Sequence, residues 1–354
     1  MMVGAIPCTM EYAVQMRMYA WCMLFVTGTA IFAFDAWENG KKSSYILMGF
    51  FGVCAAYSHY FAFVAIIWIY AFLLIGLLYG IGKKQREKKE LMKYGAVICA
   101  SLLLYIPWMP YLIGQIRGVA ASYWIPDITK EVIRGYFDWI FQSDYPGIKG
   151  MFQILFAVIF IWLMIRMLIK RTREDFIALL AVVIPALVVT TGVIASKLIR
   201  PVFIIRYIMP CVPLLCLFFA VMLSKTDKKV RITLFVWLML VILMDYKCTY
   251  YDEYQATDTD KTLSFLEENV DHNDLIVYNY AAYDFIYQCY FDNNQLKYIG
   301  DINYNENCDR MWFLCTVYQP MPDQNMLEEN GWKMTYIGDF GIEQNEFWIY
   351  EIAK

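Results

Sequence analysis

Three groups of residues in this chain carry side chains able to bind or move charge, and each falls at the edge of an apolar segment. The first is the run Glu11-Tyr12-Ala13-Val14-Gln15-Met16-Arg17-Met18-Tyr19, in which Glu11, Gln15 and Tyr19 share one helical face at i, i+4 and i+8. The second is the pair His59-Tyr60, set between two apolar segments. The third is Lys197, Arg200 and Arg206-Tyr207, followed by Pro210 and Pro213. An arginine at the start of a membrane segment is costly unless it snorkels or pairs. A lipid phosphate is one candidate partner, because a guanidinium matches phosphate oxygens with two parallel hydrogen bonds. Arg206 therefore reads either as a headgroup anchor or as a phosphate ligand. His59 reads as a hydrogen-bonded boundary histidine or as a ligand, and Arg17 as the marker of a segment start or as a cavity residue.

The elements that must position these groups are membrane spans. Of 354 residues, 60% are hydrophobic and 18% aromatic, too apolar for one soluble domain. About eight apolar segments run at Met18 to Trp37, Ser44 to Ser58, Tyr60 to Tyr79, Tyr94 to Leu112, Met151 to Ile169, Phe176 to Ile194, Ile204 to Leu223 and Ile232 to Met244. The second and last are near or below the lower limit for crossing the hydrocarbon layer. Basic clusters fill every second gap: Lys41-Lys42, Lys83 to Lys89, Lys170 to Arg173 and Lys225 to Arg231. The positive-inside rule places those gaps in the cytoplasm, and the other gaps and both ends outside. All three polar groups then lie at the outer face of a multi-pass protein of the cytoplasmic membrane. With residues 1–17 outside, and with neither an earlier span nor a signal peptide, the sequence is expected to begin inside a longer protein.

Charge divides the chain in two. The net charge of -3 conceals 24 basic against 13 acidic residues up to Asp245, and 6 against 20 beyond it. Residues 1–245 are read as the membrane domain and 246–354 as a small extracytoplasmic α/β domain. In the latter, Thr259 to Asn269 and Ala281 to Phe291 read as helices and Gln324 to Glu329 as a short one. Leu275 to Tyr278, Met311 to Val317, Met334 to Ile337 and Phe347 to Ile352 read as strands. The glycine-rich phosphate-binding patterns are missing, which argues against a nucleotide site, and no nucleic-acid partner is expected. Ten cysteines form no Cys-x-x-Cys pair, so no metal site, cofactor or disulfide framework is read. The loop from Ile113 to Gly150 interleaves aromatics with polar residues, and Lys130 to Ile140 could form an interfacial helix over a cavity or an aromatic anchor for the loop.

Together these residues resemble a known family. Tyr12-Ala13-Val14-Gln15-Met16-Arg17-Met18-Tyr19 is similar to the Tyr-x-x-Glu-x-Arg-x-Tyr element of bacterial GT-C glycosyltransferases of the RgtA/B/C/D-like type, which group with protein O-mannosyltransferases and aminoarabinose transferases. Tyr57-Ser58-His59-Tyr60-Phe61 resembles their Tyr-Thr-His-Tyr-Phe hairpin, and Pro107-Trp108-Met109-Pro110 their Pro-Trp-x-Pro. Arg206-Tyr207-Ile208-Met209-Pro210-Cys211-Val212-Pro213 resembles their Arg-Tyr-x-x-Pro-x-x-Pro, and the order of the motifs covers most of the chain.

The resemblance implies inverting transfer of a sugar from a polyprenyl-phosphate donor to a lipid, glycan or protein acceptor. A carboxylate would act as base and a cation would stabilise the departing phosphate. Arg206 and Tyr207 would contact the phosphate, with Arg17, His59, Tyr60 and Gln15 lining the cavity. Two departures bear on activity. The family's acidic residue lies in a first outer loop expected upstream of Met1, and the family's glutamate is Gln15 here, an amide that cannot act as a base. Glu11 is the first substitute, ahead of Asp127, Asp138 and Asp144. A transporter or flippase of lipid-linked sugars, and a non-catalytic membrane scaffold, remain as alternatives. No motif recurs as the inverted repeats of a transporter would require.

Overall fold

A computed structural model describes residues 17–121, 172–198, 200–245, 257–302, 308–316, 321–343 and 345–354, with single residues and short stretches among 9–12, 125–135, 157–169 and 247. It forms two compact units, Met1–Tyr246 and Lys247–Lys354.

The first unit is helical: α1 Tyr19–Asn39, α2 Lys42–Ser58, α3 Tyr60–Gly82, α4 Lys88–Tyr105, α5 Met109–Ala121, α6 Arg173–Leu198, α7 Val212–Ser224 and α8 Lys228–Asp245. Five stretches are long and apolar enough to cross a membrane: Tyr19–Asn39, Tyr60–Gly82, Lys88–Gly118, Arg173–Leu198 and Ile205–Ser224. This is the architecture of a membrane protein, with five such helices among the described residues rather than the expected eight or so. The 17-residue α2 is helical but too short, and of the segment Met151 to Ile169 only part lies within the described residues. Of the interfacial helix expected over Lys130 to Ile140, residues 130–133 and 135 are helical and the rest lie outside the described residues.

Breaks between helices follow local chemistry. α1 ends at Gly40, whose φ of 58° is the left-handed cap glycine adopts without strain, and its N–H bonds Ala36 O at 2.9 Å. α1 packs on α2 and α3, α3 on α6, and α6 on α7. Their shared core mixes large apolar side chains with small ones, among them Ala33 and Ala36 of α1, Ala62 and Ala65 of α3, and Ala178 and Ala181 of α6. Small side chains let apolar helices approach closely where lipid tails give no hydrophobic drive to pack.

The four basic gaps meet at one end of this unit. Arg86 stacks 4.0 Å from the Trp37 ring and donates to Trp37 O, while its guanidinium pairs with Glu90 at 2.7 Å. Lys93 reaches Gly40 O at 2.6 Å, and Arg173 pairs with Glu38. Lys225 bonds Thr172 Oγ1 at 2.6 Å and Asp175 Oδ1 at 2.8 Å.

The second unit is a three-layer α/β domain. Its sheet runs in the order β2-β1-β3-β5-β4, with β1 Leu275–Tyr278, β2 Leu296–Tyr298, β3 Arg310–Cys315, β4 Lys333–Ile342 and β5 Asn345–Ala353. β1 pairs parallel with β2 and β3, and β5 antiparallel with β3 and β4. Alternate strand residues feed two cores. Ile276, Trp312 and Leu314 meet Leu266 of α9 (Thr259–Asn269) and Tyr287 of α10 (Asp284–Tyr290). Val277, Met311 and Phe313 meet Leu327 of α11 (Gln324–Glu329). The buried Asp274 accepts from Trp312 Nε1 at 3.1 Å and pairs with Arg310 at 3.1 Å, tying the starts of β1 and β3.

Candidate functional site

The turn at His59 joins α2 to α3 through one extended residue, φ -162° and ψ 140°. Its N–H closes α2 on Ala55 O at 3.2 Å, and its Nδ1 accepts the N–H of Phe61 at 3.1 Å, capping α3. A ring nitrogen that accepts a backbone N–H is unprotonated, so the remaining proton sits on Nε2, where the ring can donate. Burial, with the nearby positive charge of Arg206, brings the His59 pKa down to about 4, so the imidazole is neutral at physiological pH.

Arg206 and Tyr207 lie in a 3-10 turn, Ile205–Cys211, that leads into α7. Its approach is fixed from α6. The Ser196 hydroxyl accepts the N–H groups of Val202 and Phe203 at 3.1 and 3.0 Å. The fully buried Phe203 lies against Gly192, where an added Cβ would meet Phe203 Cδ2 at 2.4 Å. Phe61 stacks on Tyr207 at 5.2 Å and meets Phe203 edge-on at 5.0 Å. Tyr207 reaches the His59 ring at 4.7 Å.

The start of α1 closes the arrangement. Tyr19, 1% exposed, packs with Met209, Val212 and Cys216 of the 3-10 turn and α7. Its ring lies 5.8 Å from that of His59 and 5.1 Å from that of Tyr12. The positive charges of Arg206 and of the exposed Arg17 both act on the Tyr19 hydroxyl. Arg17, His59, Arg206 and Tyr207 thus converge at one end of the helical unit from three distant parts of the sequence. Two guanidinium groups and an imidazole N–H form a site suited to an anion with several oxygen acceptors, of which phosphate is the common biological case.

Tyr60, although next to His59, leaves the cluster: its hydroxyl bonds Gln115 Oε1 of α5. Glu11, Gln15, Asp138 and Asp144 lie outside the described residues. Lys197 is exposed at the end of α6. The supports Ser196, Gly192 and Phe203 escape the sequence reading, and Phe61 enters it only as the last residue of the hairpin motif. Only the serine and glycine inside an otherwise apolar run could have signalled them. Among the described residues no group of three His, Cys, Asp or Glu side chains could hold a metal ion. No protein-family model matches the chain, and no curated protein or solved structure is similar to it.

Proposed function

We propose that the chain is a membrane glycosyltransferase of the GT-C type. It would transfer a sugar from a polyprenyl-phosphate donor to a lipid, glycan or protein acceptor at the outer face of the cytoplasmic membrane. The observation that supports this reading is the convergence of Arg17, His59 and Arg206 at the end of the helical unit opposite its basic gaps. In this reading an acceptor hydroxyl attacks the anomeric carbon and its proton passes to a carboxylate. The bond from that carbon to the phosphate oxygen breaks, and the electron pair leaves on the polyprenyl phosphate. Arg206 holds that phosphate through charge-assisted hydrogen bonds, the neutral His59 adds its Nε2–H, and Tyr207 fixes the imidazole face. Glu11 is the base that the sequence offers nearest to Arg17.

The test is binding of a labelled polyprenyl phosphate to the purified chain in phospholipid nanodiscs. Hydrogen bonds to a charged group contribute about 1.5–3 kcal/mol, so Arg206→Ala is expected to weaken binding roughly 10- to 100-fold. Arg206→Lys keeps the charge without the planar fork and is expected to fall between. Equal affinity in wild type and Arg206→Ala would remove the phosphate role. Tight, Arg206-dependent binding with no transfer of sugar to any acceptor in membranes would favour the transporter reading.

A further inference from the structure

A second polar cluster sits at the same end of the helical unit and takes no part in the phosphate site. The outer turns of α2 and α4 and the 3-10 link Ile106–Trp108 bring together Tyr57, Tyr105 and Trp108. Tyr57 meets the Tyr105 ring edge-on at 5.5 Å and the Trp108 ring at 5.6 Å. The Tyr57 hydroxyl donates to Leu104 O at 2.7 Å, and that of Tyr60 bonds Gln115 Oε1. These two bonds leave lone pairs on both phenol oxygens and both N–H donors of the Gln115 amide.

Tyr105 is 7% exposed, yet among the described residues its hydroxyl has no hydrogen-bond partner. A buried unsatisfied hydroxyl costs stability unless something bonds to it. It lies beside Tyr57 and Tyr60, whose side chains are 39% and 37% exposed. Among the described residues no charged side chain belongs to the cluster. Its composition is an indole face, three phenol hydroxyls and a primary amide, offering donors and acceptors in balance and no charge.

We propose that Tyr57, Tyr60, Tyr105, Trp108 and Gln115 form a binding site for a neutral saccharide. The C–H face of a sugar ring stacks on Trp108, and its hydroxyls bond the Tyr105 hydroxyl and the Gln115 amide. An anionic headgroup would need a cation that the cluster lacks. His59 and Tyr60 are consecutive, so this site and the phosphate site are separated only by the first turn of α3. Assignment of the saccharide to the acceptor rests on the transferase reading; the binding itself does not.

The experiment is saturation-transfer NMR on the full chain in phospholipid nanodiscs, with the methyl glycosides of glucose, mannose, galactose and N-acetylglucosamine as probes. Wild type is expected to saturate the ring protons of at least one of them. Tyr105→Phe is expected to weaken that binding about 3- to 10-fold, the loss of one hydrogen bond, and Trp108→Ala by about 10-fold or more. A purely structural Tyr105 predicts the opposite pattern. Removing a hydroxyl with no partner leaves the melting temperature equal or higher, so weaker binding with undiminished stability marks a ligand contact. Arg206→Ala is expected to keep saccharide binding. No transfer to any of the four probes, or equal binding by wild type, Tyr105→Phe and Trp108→Ala, would overturn the site. If saccharide binding holds while polyprenyl-phosphate binding proves independent of Arg206, the transferase reading fails and this site stands.

Discussion

Replacing Gly192 by alanine tests whether α6 holds the phosphate site in place. An alanine Cβ would stand 2.4 and 2.6 Å from Phe203 Cδ2 and Cγ, and 2.9 Å from Phe61 Cε1. Carbon atoms rest about 3.5–4.0 Å apart, so the Phe203 ring must retreat by about 1 Å. It has little room: Phe203 is fully buried, its N–H is bonded to Ser196, and Phe61 and Tyr207 pack against its ring. Overpacking of this kind costs about 1–3 kcal/mol, while alanine in a helix regains up to about 1 kcal/mol over glycine. With so little room the cost falls in the upper part of that range, about 2–3 kcal/mol, so the net loss is about 1–2 kcal/mol, or a melting temperature lower by about 2–8 °C for a unit of this size. Gly95 in α4 is the control, since nothing lies within 4 Å of its Cβ position and alanine there brings only the gain. Both variants would be melted in detergent and assayed for polyprenyl-phosphate binding. Gly192→Ala should melt lower and bind more weakly, because the displaced rings carry Tyr207. If it melts at or above wild type, as Gly95→Ala should, the close packing of Phe203 on α6 is refuted.

At the basic end, Lys225→Ala strips the cation from Asp175, whose side chain is only 4% exposed. Breaking a buried pair costs about 3–5 kcal/mol, and the low end applies because Thr172 N–H still bonds the carboxylate at 2.6 Å. Thermal unfolding should show that loss, and the double variant Lys225→Met/Asp175→Leu should recover most of it; a double variant as unstable as the single would be inconsistent with an ion pair. For His59, the native pKa of about 4 lies below the ordinary 6.5, so between these values the unfolded chain binds the extra proton. Stability from this group is full above pH 6.5 and declines as pH falls toward 4, with about 2 kcal/mol lost by pH 5. His59→Gln, whose amide oxygen can still cap α3, should flatten the melting temperature between pH 7 and pH 5, and identical slopes in the two proteins would exclude a buried neutral imidazole.

How far the sequence reveals this molecule depends on whether a feature is local. The helix Thr259–Asn269, the strand Leu275–Tyr278 and the short helix Gln324–Glu329 follow from their own periodicity. Strand β2 does not. It has three half-buried residues with Lys297 in the middle, and only its pairing with β1 makes it a strand. β4 extends past its apolar stretch through Gly338 and Asp339 because a register shift between Tyr336 and Gly338 lets β5 stay paired across residues that look like a turn. At the site, Arg17, His59 and Arg206 are visible by residue type alone. Tyr60 reads as their companion, but the chain passes from an extended residue at His59 into helix at Tyr60, and the turn sends consecutive side chains to opposite sides. Phe203 and Gly192 acquire meaning only from each other, across a loop that no periodicity describes.

The two ends of the helical unit use their cations in different ways, and this difference bears on function. At the basic end Arg86, Lys93, Arg173 and Lys225 are each held by carbonyl or carboxylate oxygens of the chain itself, so their charge is satisfied in binding one helix to the next. At the His59 end, Arg206 lies close enough to His59 to help keep its imidazole neutral. A guanidinium at the edge of a low-dielectric layer interacts strongly with an anion brought to it. The proposed polyprenyl phosphate would be such an anion, its chain in lipid and its phosphate at that edge. The proposed saccharide site beside it would extend the same logic, because a neutral ring of aromatic and amide groups next to a cationic one would hold apart the two portions of the proposed reaction that differ in charge.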